Sequence, residues 1–314
     1  MRIDLNHFAM HKYLLAAFCL VSASAFAGPP EPVVTTQSTE TLLPVPIDYV
    51  EIESAYVFGS DFTNTRHDFG SQDSWQNQFE YGHRFHLSGN WYLRTGVSYD
   101  RYDFSGTNAP LPIHLQTGQL VLGIDYMHGQ DVGAFLQFRP GIYTEEHINL
   151  DAFDCPILVG RFWVVKPDKF YILTAVRASF LSSEFPVVPL AGVVWVPCPQ
   201  WRLMAVPPEP RLIYSVTKQL DVWVGGEIAG SAFRVDHNSD FQARGGKTAK
   251  LSGAVVDYTD YRAGLGFTYS PTDKIDLDFG AGYSLQRNFD YSRADQSFRT
   301  DPAPYVKVEI HAKF

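Results

Sequence analysis

Charged side chains recur at alternate positions in several stretches of this 314-residue chain. Asp276 and Asp278, and likewise Lys307 and Glu309, are separated by a single apolar residue. Strand side chains alternate between two faces, so each pair shares a face if the stretch is extended. Fourteen residues are assigned on this basis to one polar face: Glu80, Arg84, Arg94, Asp100, Asp125, Arg139, Arg177, Asp221, Glu227, Arg262, Asp276, Asp278, Lys307 and Glu309.

Two kinds of chemistry suit this polar face, to which Glu51, Glu53 and Arg161 are also assigned. Opposite charges could pair and hold a hydrated interior in shape. Alternatively, they could select solutes, as rings of charged side chains do in pores. Both interpretations stay open, because spacing alone does not fix the height of a side chain along its strand.

Signatures of catalysis are weak in comparison. The sequence has no GxSxG, HExxH or Walker motif. His83, His86, His114 and His311 have Ser, Asp or Glu nearby and could assemble a hydrolase site. Ten scattered histidines are also ordinary. We therefore expect no enzyme, no catalytic residue, no cofactor and no metal site.

The elements that must position these residues are strands, because period-2 alternation begins near Asp48 and continues to Phe314. Tight turns such as 88–90, 166–169 and 270–273 alternate with longer polar loops. The prolines at 207, 208 and 210 separate two short segments and indicate an irregular wall or an inserted loop. Fourteen strands are predicted, or twelve if the two short segments do not span: 49–58, 74–87, 91–100, 119–126, 134–142, 157–165, 170–180, 187–196, 201–205, 211–216, 220–228, 261–269, 275–286 and 304–314.

The last strand, together with the predicted secretory signal and the alternating loop lengths, favours a closed barrel over an exported β-sandwich. Val306, Val308, Ile310, Ala312 and Phe314 share one face, and the polar residues between them share the other. This stretch resembles the final strand of bacterial outer-membrane β-barrels, although Ala312 stands where a larger side chain is common. The resemblance implies that Val306, Val308, Ile310 and Phe314 form the signal read by the barrel-assembly machinery.

The resemblance covers residues 48–314 at the level of the porin-like class and matches no specific characterised family. It implies an all-β, antiparallel, up-and-down transmembrane barrel with an even strand number, and outer-membrane lipid as a partner. Aromatic residues near the tight turns would form the interfacial girdle of such a barrel: Phe85, Trp91, Tyr126, Phe170, Trp195, Trp201, Tyr269 and Phe314.

Residues 1–27 have the pattern of a secretory signal, with cleavage between Ala27 and Gly28. Residues 28–47 are rich in Pro, Thr and Ser and are predicted to be a flexible periplasmic lead-in. Removal of residues 1–27 leaves 23 Lys+Arg against 33 Asp+Glu, a net charge of −10. This balance argues against nucleic acid as a partner. Localisation in the outer membrane of a Gram-negative-type bacterium is expected.

Cys155 and Cys198 remain after cleavage and are placed at opposite ends of the barrel, which disfavours a disulfide. The function indicated is a passive channel or transporter for small solutes. A structural or adhesive barrel without conductance is the alternative, and an outer-membrane hydrolase is a weaker one. The excess of inward carboxylates predicts a narrow, weakly cation-preferring passage, or one closed by its own side chains.

Overall fold

The computed structural model describes residues 47–64, 67–128, 131–182, 185–237 and 251–314, so the predicted signal and nearly all of the predicted lead-in lie outside the described residues. Fourteen strands form the wall: β1 Asp48–Asn64, β2 His67–Ser88, β3 Trp91–Phe104, β4 His114–His128, β5 Asp131–Phe138 with Gly141–Thr144, β6 Phe153–Asp154 with Ile157–Lys166, β7 Phe170–Ala178, β8 Val187–Cys198, β9 Trp201–Ala205, β10 Arg211–Ser215, β11 Leu220–Ala229 with Ala232–Arg234, β12 Val255–Thr272, β13 Ile275–Tyr291, and β14 Gln296–Thr300 with Ala303–Lys313.

Four of these strands are interrupted, each at a residue that interferes with regular pairing. Pro140, Pro156 and Pro302 lie in the breaks of β5, β6 and β14. Proline has no backbone N–H to donate to the ladder. The break in β11 contains Gly230 at φ +125°, a conformation that glycine tolerates and side chains resist. Each interruption is short, and the chain continues in the same direction after it.

The sheet closes on itself. β1 pairs with β2 on one side and with β14 on the other, from Tyr49 opposite Lys313 to Val57 opposite Tyr305. Every strand pairs antiparallel with its neighbours in sequence. The prediction of an all-β up-and-down barrel with fourteen strands is confirmed, and the twelve-strand and sandwich alternatives are excluded. No helix in the described ranges is both long and apolar enough to cross a membrane.

The two faces of the wall have opposite chemistry, as β14 shows. Val306, Val308 and Ile310 are 45%, 43% and 38% exposed on the outside, whereas Lys307 and Glu309 are each 3% exposed inside. The same outward exposure of large apolar side chains recurs around the barrel, for example at Phe79, Leu122 and Leu265. A closed sheet with an apolar exterior has the organisation of a transmembrane β-barrel.

The wall varies in height. We call the end that holds Asp48 and Phe314 the inner end and the opposite end the outer end. β9 and β10 are five residues each and form a short hairpin at the inner end. β8 pairs with β9 only between Val193 and Cys198, which leaves Val187 to Gly192 without a strand partner on that side. Further toward the outer end, β5 and β11 meet directly where Thr144 pairs with Arg234.

Candidate functional site: the barrel interior

The structure places all fourteen assigned charges on the inward register of their strands. Thirteen of them form hydrogen bonds or ion pairs inside the barrel, and Arg177 does not. Most pairs join distant parts of the sequence, so the spacing of charges along the chain could not have identified the partners. The inward charges form separate clusters at different heights in the barrel.

The central cluster is built around Lys307. Its Nζ lies 2.9 Å from Glu53, 2.8 Å from Glu209 and 3.1 Å from Glu227. These partners come from β1, the loop between β9 and β10, and β11. Arg262 extends the cluster, since it bonds to Glu227 at 3.0 Å and to Asp260 at 2.8 Å. The cluster joins β1 and β14 to β11, β12 and the loop between β9 and β10, and all of its side chains except Glu209 are 10% exposed or less.

Glu53, Glu209 and Glu227 have the geometry of a possible metal site, because one oxygen from each lies within 4.8 Å of the others. The ammonium group of Lys307 already contacts all three carboxylates. A buried carboxylate group of this kind needs a cation in contact with it. In this chain the lysine supplies that charge.

Two other clusters fix the wall around this centre. Asp278 accepts hydrogen bonds from Arg211 at 2.9 Å, from Trp223 at 3.0 Å and from Thr268 at 2.6 Å. On the opposite side, Asp125 receives both Arg84 at 2.9 Å and Arg94 at 3.0 Å. Asp278 and Asp125 are each 1% exposed, so both carboxylates serve the wall rather than mobile ions.

Charges near the inner end are more accessible. Asp276 pairs with Lys313 at 3.3 Å, and Asp221 pairs with Arg202 at 3.3 Å, with all four side chains partly exposed. Solvent-exposed pairs of this kind contribute little stability. Ions entering from this end would meet these groups first.

Sequence reasoning missed several inward groups and misplaced one. Glu209 was not found because it lies in a Pro-rich loop with no periodicity, and Asp260 because the predicted strand began one residue later. Arg161 was predicted to face inward, which is wrong: it pairs with outward Ala134 and stacks on Trp163 at 4.1 Å. A long arginine can keep its guanidinium near the interface while its stem covers apolar surface.

An aromatic cluster fills the outer part of the interior. Tyr258 and Phe289 are 1% and 0% exposed, and their ring centroids lie 4.8 Å apart. They pack with apolar side chains from both halves of the chain: Phe62, Tyr102, Phe104, Ala109, Leu111, Leu115, Tyr143, Leu181, Ala232, Phe233, Val235, Leu251, Val255, Val256, Tyr291 and Phe298. The outer part of the barrel therefore holds a continuous set of buried apolar side chains.

Arg287 lies at the boundary between this cluster and the charged centre. It is fully buried and donates to Ser60 Oγ at 2.9 Å and to the carbonyl of Gln72 at 2.6 Å. Its Nε and Nη1 have no hydrogen-bond partner, and no described carboxylate lies within ion-pair distance. Arg287 is thus a buried cation with incomplete compensation.

An outer-end clasp, formed by Glu145, His147, Arg234 and Asp236, joins the loops that follow β5 and β11. The carbonyl of Arg234 accepts from the Glu145 N–H at 3.0 Å, and Glu145 Oε2 accepts from the Asp236 N–H at 3.1 Å. His147 Nδ1 lies 2.6 Å from Asp236 Oδ2. The hydrogen bond to Asp236 raises the pKa of His147.

The inward side of β6, β7 and β8 is apolar, in contrast to the charged inward faces of β1, β2, β12, β13 and β14 below the aromatic cluster. Leu158, Phe162, Leu173, Leu190 and Val194 all have this orientation, shown by the exposed residues that alternate with them. We call these three inward faces the apolar wall. Leu158, Phe162 and Leu190 are only half-buried. Arg177, at the outer end of β7, is directly opposite Leu158 and Val188.

Other predicted features can be located. Val306, Val308, Ile310 and Phe314 are outward and exposed. Cys155 lies in the break of β6 near the outer end, Cys198 is the last residue of β8 at the inner end, and both are free thiols.

Comparisons with known proteins give similarity at the level of the architecture. No family model matches the chain, and no curated protein matches its sequence. An outer-membrane channel from Pseudomonas putida F1 covers 89% of this chain and 100% of its own, at 10% identity and TM-score 0.45. A deletion mutant of the monoaromatic hydrocarbon channel TodX covers 86% and 91%, at 8% identity and TM-score 0.45. LpxR from Salmonella typhimurium covers 85% and 100%, at 10% identity and TM-score 0.37. These values transfer no activity to this chain, and the fold assignment depends on its own strand pairing.

Proposed function

We propose that this chain is a passive transport barrel of a bacterial outer membrane, and that it is closed at rest. The observation that carries the proposal is the change in interior chemistry along the axis. Partly exposed charges line the inner end, whereas a continuous aromatic cluster fills the outer end. Polar lining suits aqueous solutes, and a hydrophobic constriction can gate a pore by excluding water.

The aromatic cluster gives this function a direct test. Tyr258→Ala with Phe289→Ala removes two packed rings from β12 and β13 and should open a hydrated route. In planar bilayers we expect the unchanged barrel to show little conductance and the double variant to show stable open events. The matched control is Phe267→Ala with Phe279→Ala, on the same two strands, whose rings stack at 5.0 Å on the lipid-facing side.

Two outcomes would contradict the proposal. Equal conductance of the two double variants would show that the aromatic cluster does not close the route. A large conductance of the unchanged barrel would show that it is open at rest. A weak preference for cations, expected from the inward carboxylates, would appear as a small reversal potential in a salt gradient.

A structural or adhesive barrel is the second candidate, and the saturation of the charges favours it. Lys307, Arg262 and Asp278 are each held by several partners. Such pairing stiffens a wall without conducting anything. Absence of conductance in the opened variant, with an intact fold, would support this candidate.

A hydrolase has less support. His311 contacts Glu51 at 3.6 Å and Glu309 at 2.9 Å. In the described part of the chain these polar partners are carboxylates, not a hydroxyl or thiol that the imidazole could activate. That the chain is not an enzyme stays a prediction.

A further inference from the structure

We infer that the barrel interior binds a linear amphiphile with an anionic head group, whose chain lies on the apolar wall and whose head group pairs with Arg177. This rests on the proposed function only in requiring an accessible interior. It adds the class of molecule that the interior accepts.

The distribution of charged side chains around the interior is asymmetric. On β1, β2, β12, β13 and β14 the inward register carries charges, among them Glu53, Glu80, Arg262, Asp278 and Lys307. On β6 to β8, from Leu158 to Val164, from Tyr171 to Ala175 and from Val188 to Val196, the inward register carries none. A sheet filled only by water and ions has no reason to keep one side apolar.

Part of this apolar wall remains uncovered. Phe162, Leu158 and Leu190 face inward yet stay half-buried, whereas Leu173 and Val194 beside them are 5% and 1% exposed. Exposed apolar area inside a barrel stabilises a ligand that covers it, by about 25 cal/mol for each Å² removed from water. An alkyl chain would supply that cover.

Arg177 lies at the outer end of the apolar wall on the inward register, next to Leu158 and Val188. Its side chain is exposed and forms no hydrogen bond or ion pair with the described residues. Nearly every other inward arginine has a carboxylate partner, as in Arg139 with Glu80 at 2.8 Å. A guanidinium with free donors pairs well with a carboxylate. Charge complementarity therefore favours an anionic head group.

The edge of β8 offers an amphiphile a route from the membrane to the apolar wall. Above the β9–β10 hairpin, the edge of β8 from Val187 to Gly192 has no strand partner among the described residues on the side of β9. The hairpin loop reaches β11 only up to Ile228, whose N–H donates to the carbonyl of Pro208 at 3.0 Å. The neighbouring outer tips carry exposed apolar side chains, including Phe180, Phe185 and Val187. An amphiphile dissolved in the outer leaflet would meet this edge directly.

The test is photolabelling of the full-length barrel in phosphatidylcholine nanodiscs with a dodecanoate that carries a diazirine on its chain. We expect residue-level mass spectrometry to find label on inward Phe162, Leu173 and Leu190. Because side chains alternate, label confined to outward Val159 and Val176 would instead report ordinary contact with dissolved probe and would overturn the inference.

Competition and variants test the head group. Unlabelled dodecanoate should displace the probe about tenfold more effectively than dodecanol or dodecyltrimethylammonium. Arg177→Gln should remove this advantage, and Arg177→Lys should keep part of it. The matched control is Arg161→Gln, on the neighbouring strand but facing outward, which should change nothing.

Leu190→Trp tests the apolar wall separately, since it should fill the uncovered space and reduce labelling. Migration on gels before and after boiling reports whether each variant remains folded. Equal effects of Arg177→Gln and Arg161→Gln would refute the head-group assignment. Binding by the unchanged barrel, combined with no conductance of the folded Tyr258→Ala, Phe289→Ala variant, would refute the proposed channel and leave this inference standing.

Discussion

The central charged cluster and the outer aromatic cluster are both buried inside the barrel but are stabilised by opposite means. The aromatic cluster is stable because apolar rings leave water, and no partner is specific to any one of them. The charged cluster compensates the loss of water only while each charge keeps its partners. Lys307, for example, has four carboxylates within 4.0 Å. The stability of the aromatic cluster therefore depends on the total volume of its side chains, whereas the stability of the charged cluster depends on individual residues.

The largest effect expected from this difference is that of Lys307→Met. The change removes the cation that Glu53, Glu209 and Glu227 share and leaves only Arg262 and Arg211 beside them, which costs about 3–5 kcal/mol by analogy with other broken buried pairs. Heat-modifiable migration and urea unfolding would measure it. The control is Lys313→Met on the same strand and the same face, where the pair with Asp276 is partly exposed and the cost should stay below about 1 kcal/mol. Equal costs for Lys307→Met and Lys313→Met would show that burial of the ion pairs does not determine the loss of stability.

Phe314→Ala separates assembly from stability. Phe314 lies outside both clusters, 64% exposed, and its backbone N–H and C=O both pair with Asp48. If its side chain is the signal for the assembly machinery, the amount of folded barrel in cells should fall several-fold while synthesis and export continue. Barrel that does assemble should unfold at the same urea concentration as the unchanged protein. Normal levels of folded barrel would show that the side chain is not read.

Arg287→Met tests a buried charge that the comparison predicts to be dispensable. Arg287 has no described carboxylate partner, so methionine removes a poorly compensated cation and enlarges the apolar cluster. We expect the free energy of unfolding to change by less than about 1 kcal/mol, since apolar replacement of buried charges is often neutral. Loss as large as that of Lys307→Met would mean that the surroundings of Arg287 hold it as strongly as carboxylates hold Lys307.

The smallest effect concerns the outer-end clasp. Asp236 raises the pKa of His147, with Glu145 and Glu146 also contributing. A raised pKa in the folded state means that the pair contributes below the unfolded pKa of histidine and is lost as pH rises through the folded value. Proton NMR of the His147 ring should show titration above the ordinary range, and Asp236→Asn should return it. A titration unchanged by Asp236→Asn would contradict the assignment.

Features that depend on a few neighbouring residues could be predicted from the sequence, whereas contacts between distant residues could not. Alternation predicted the inward position of Lys307 and Glu309 and the outward position of Val306, because it needs only a few neighbouring residues. It could not identify Glu209 as a partner of Lys307, since that contact joins residues 98 positions apart through a non-periodic loop. It also misplaced Arg161, where charge suggested the interior and the register gives the exterior.

The aromatic cluster was beyond local reasoning for a related reason. Its residues lie at the outer ends of strands that the alternation pattern ended too early: β1 extends to Asn64, and β12 begins at Val255. Beyond these points apolar residues occur on both faces, as Val255 and Val256 show, so period 2 disappears while the strand continues. Burial on both sides erases the signal.

The position of Lys307 on the last strand has a consequence for biogenesis. Glu53, Glu209 and Glu227 belong to parts of the chain that are made earlier, and their shared cation arrives only when β14 is added between β13 and β1. A nascent sheet of thirteen strands would therefore lack the one cation that all three carboxylates share, although Glu209 would still have Arg211 and Glu227 would still have Arg262 as a partner. Insertion of the final strand supplies this cation at the same moment as it joins the two edges of the sheet. Chains cut before residue 307 would lack both the closing strand and the shared cation.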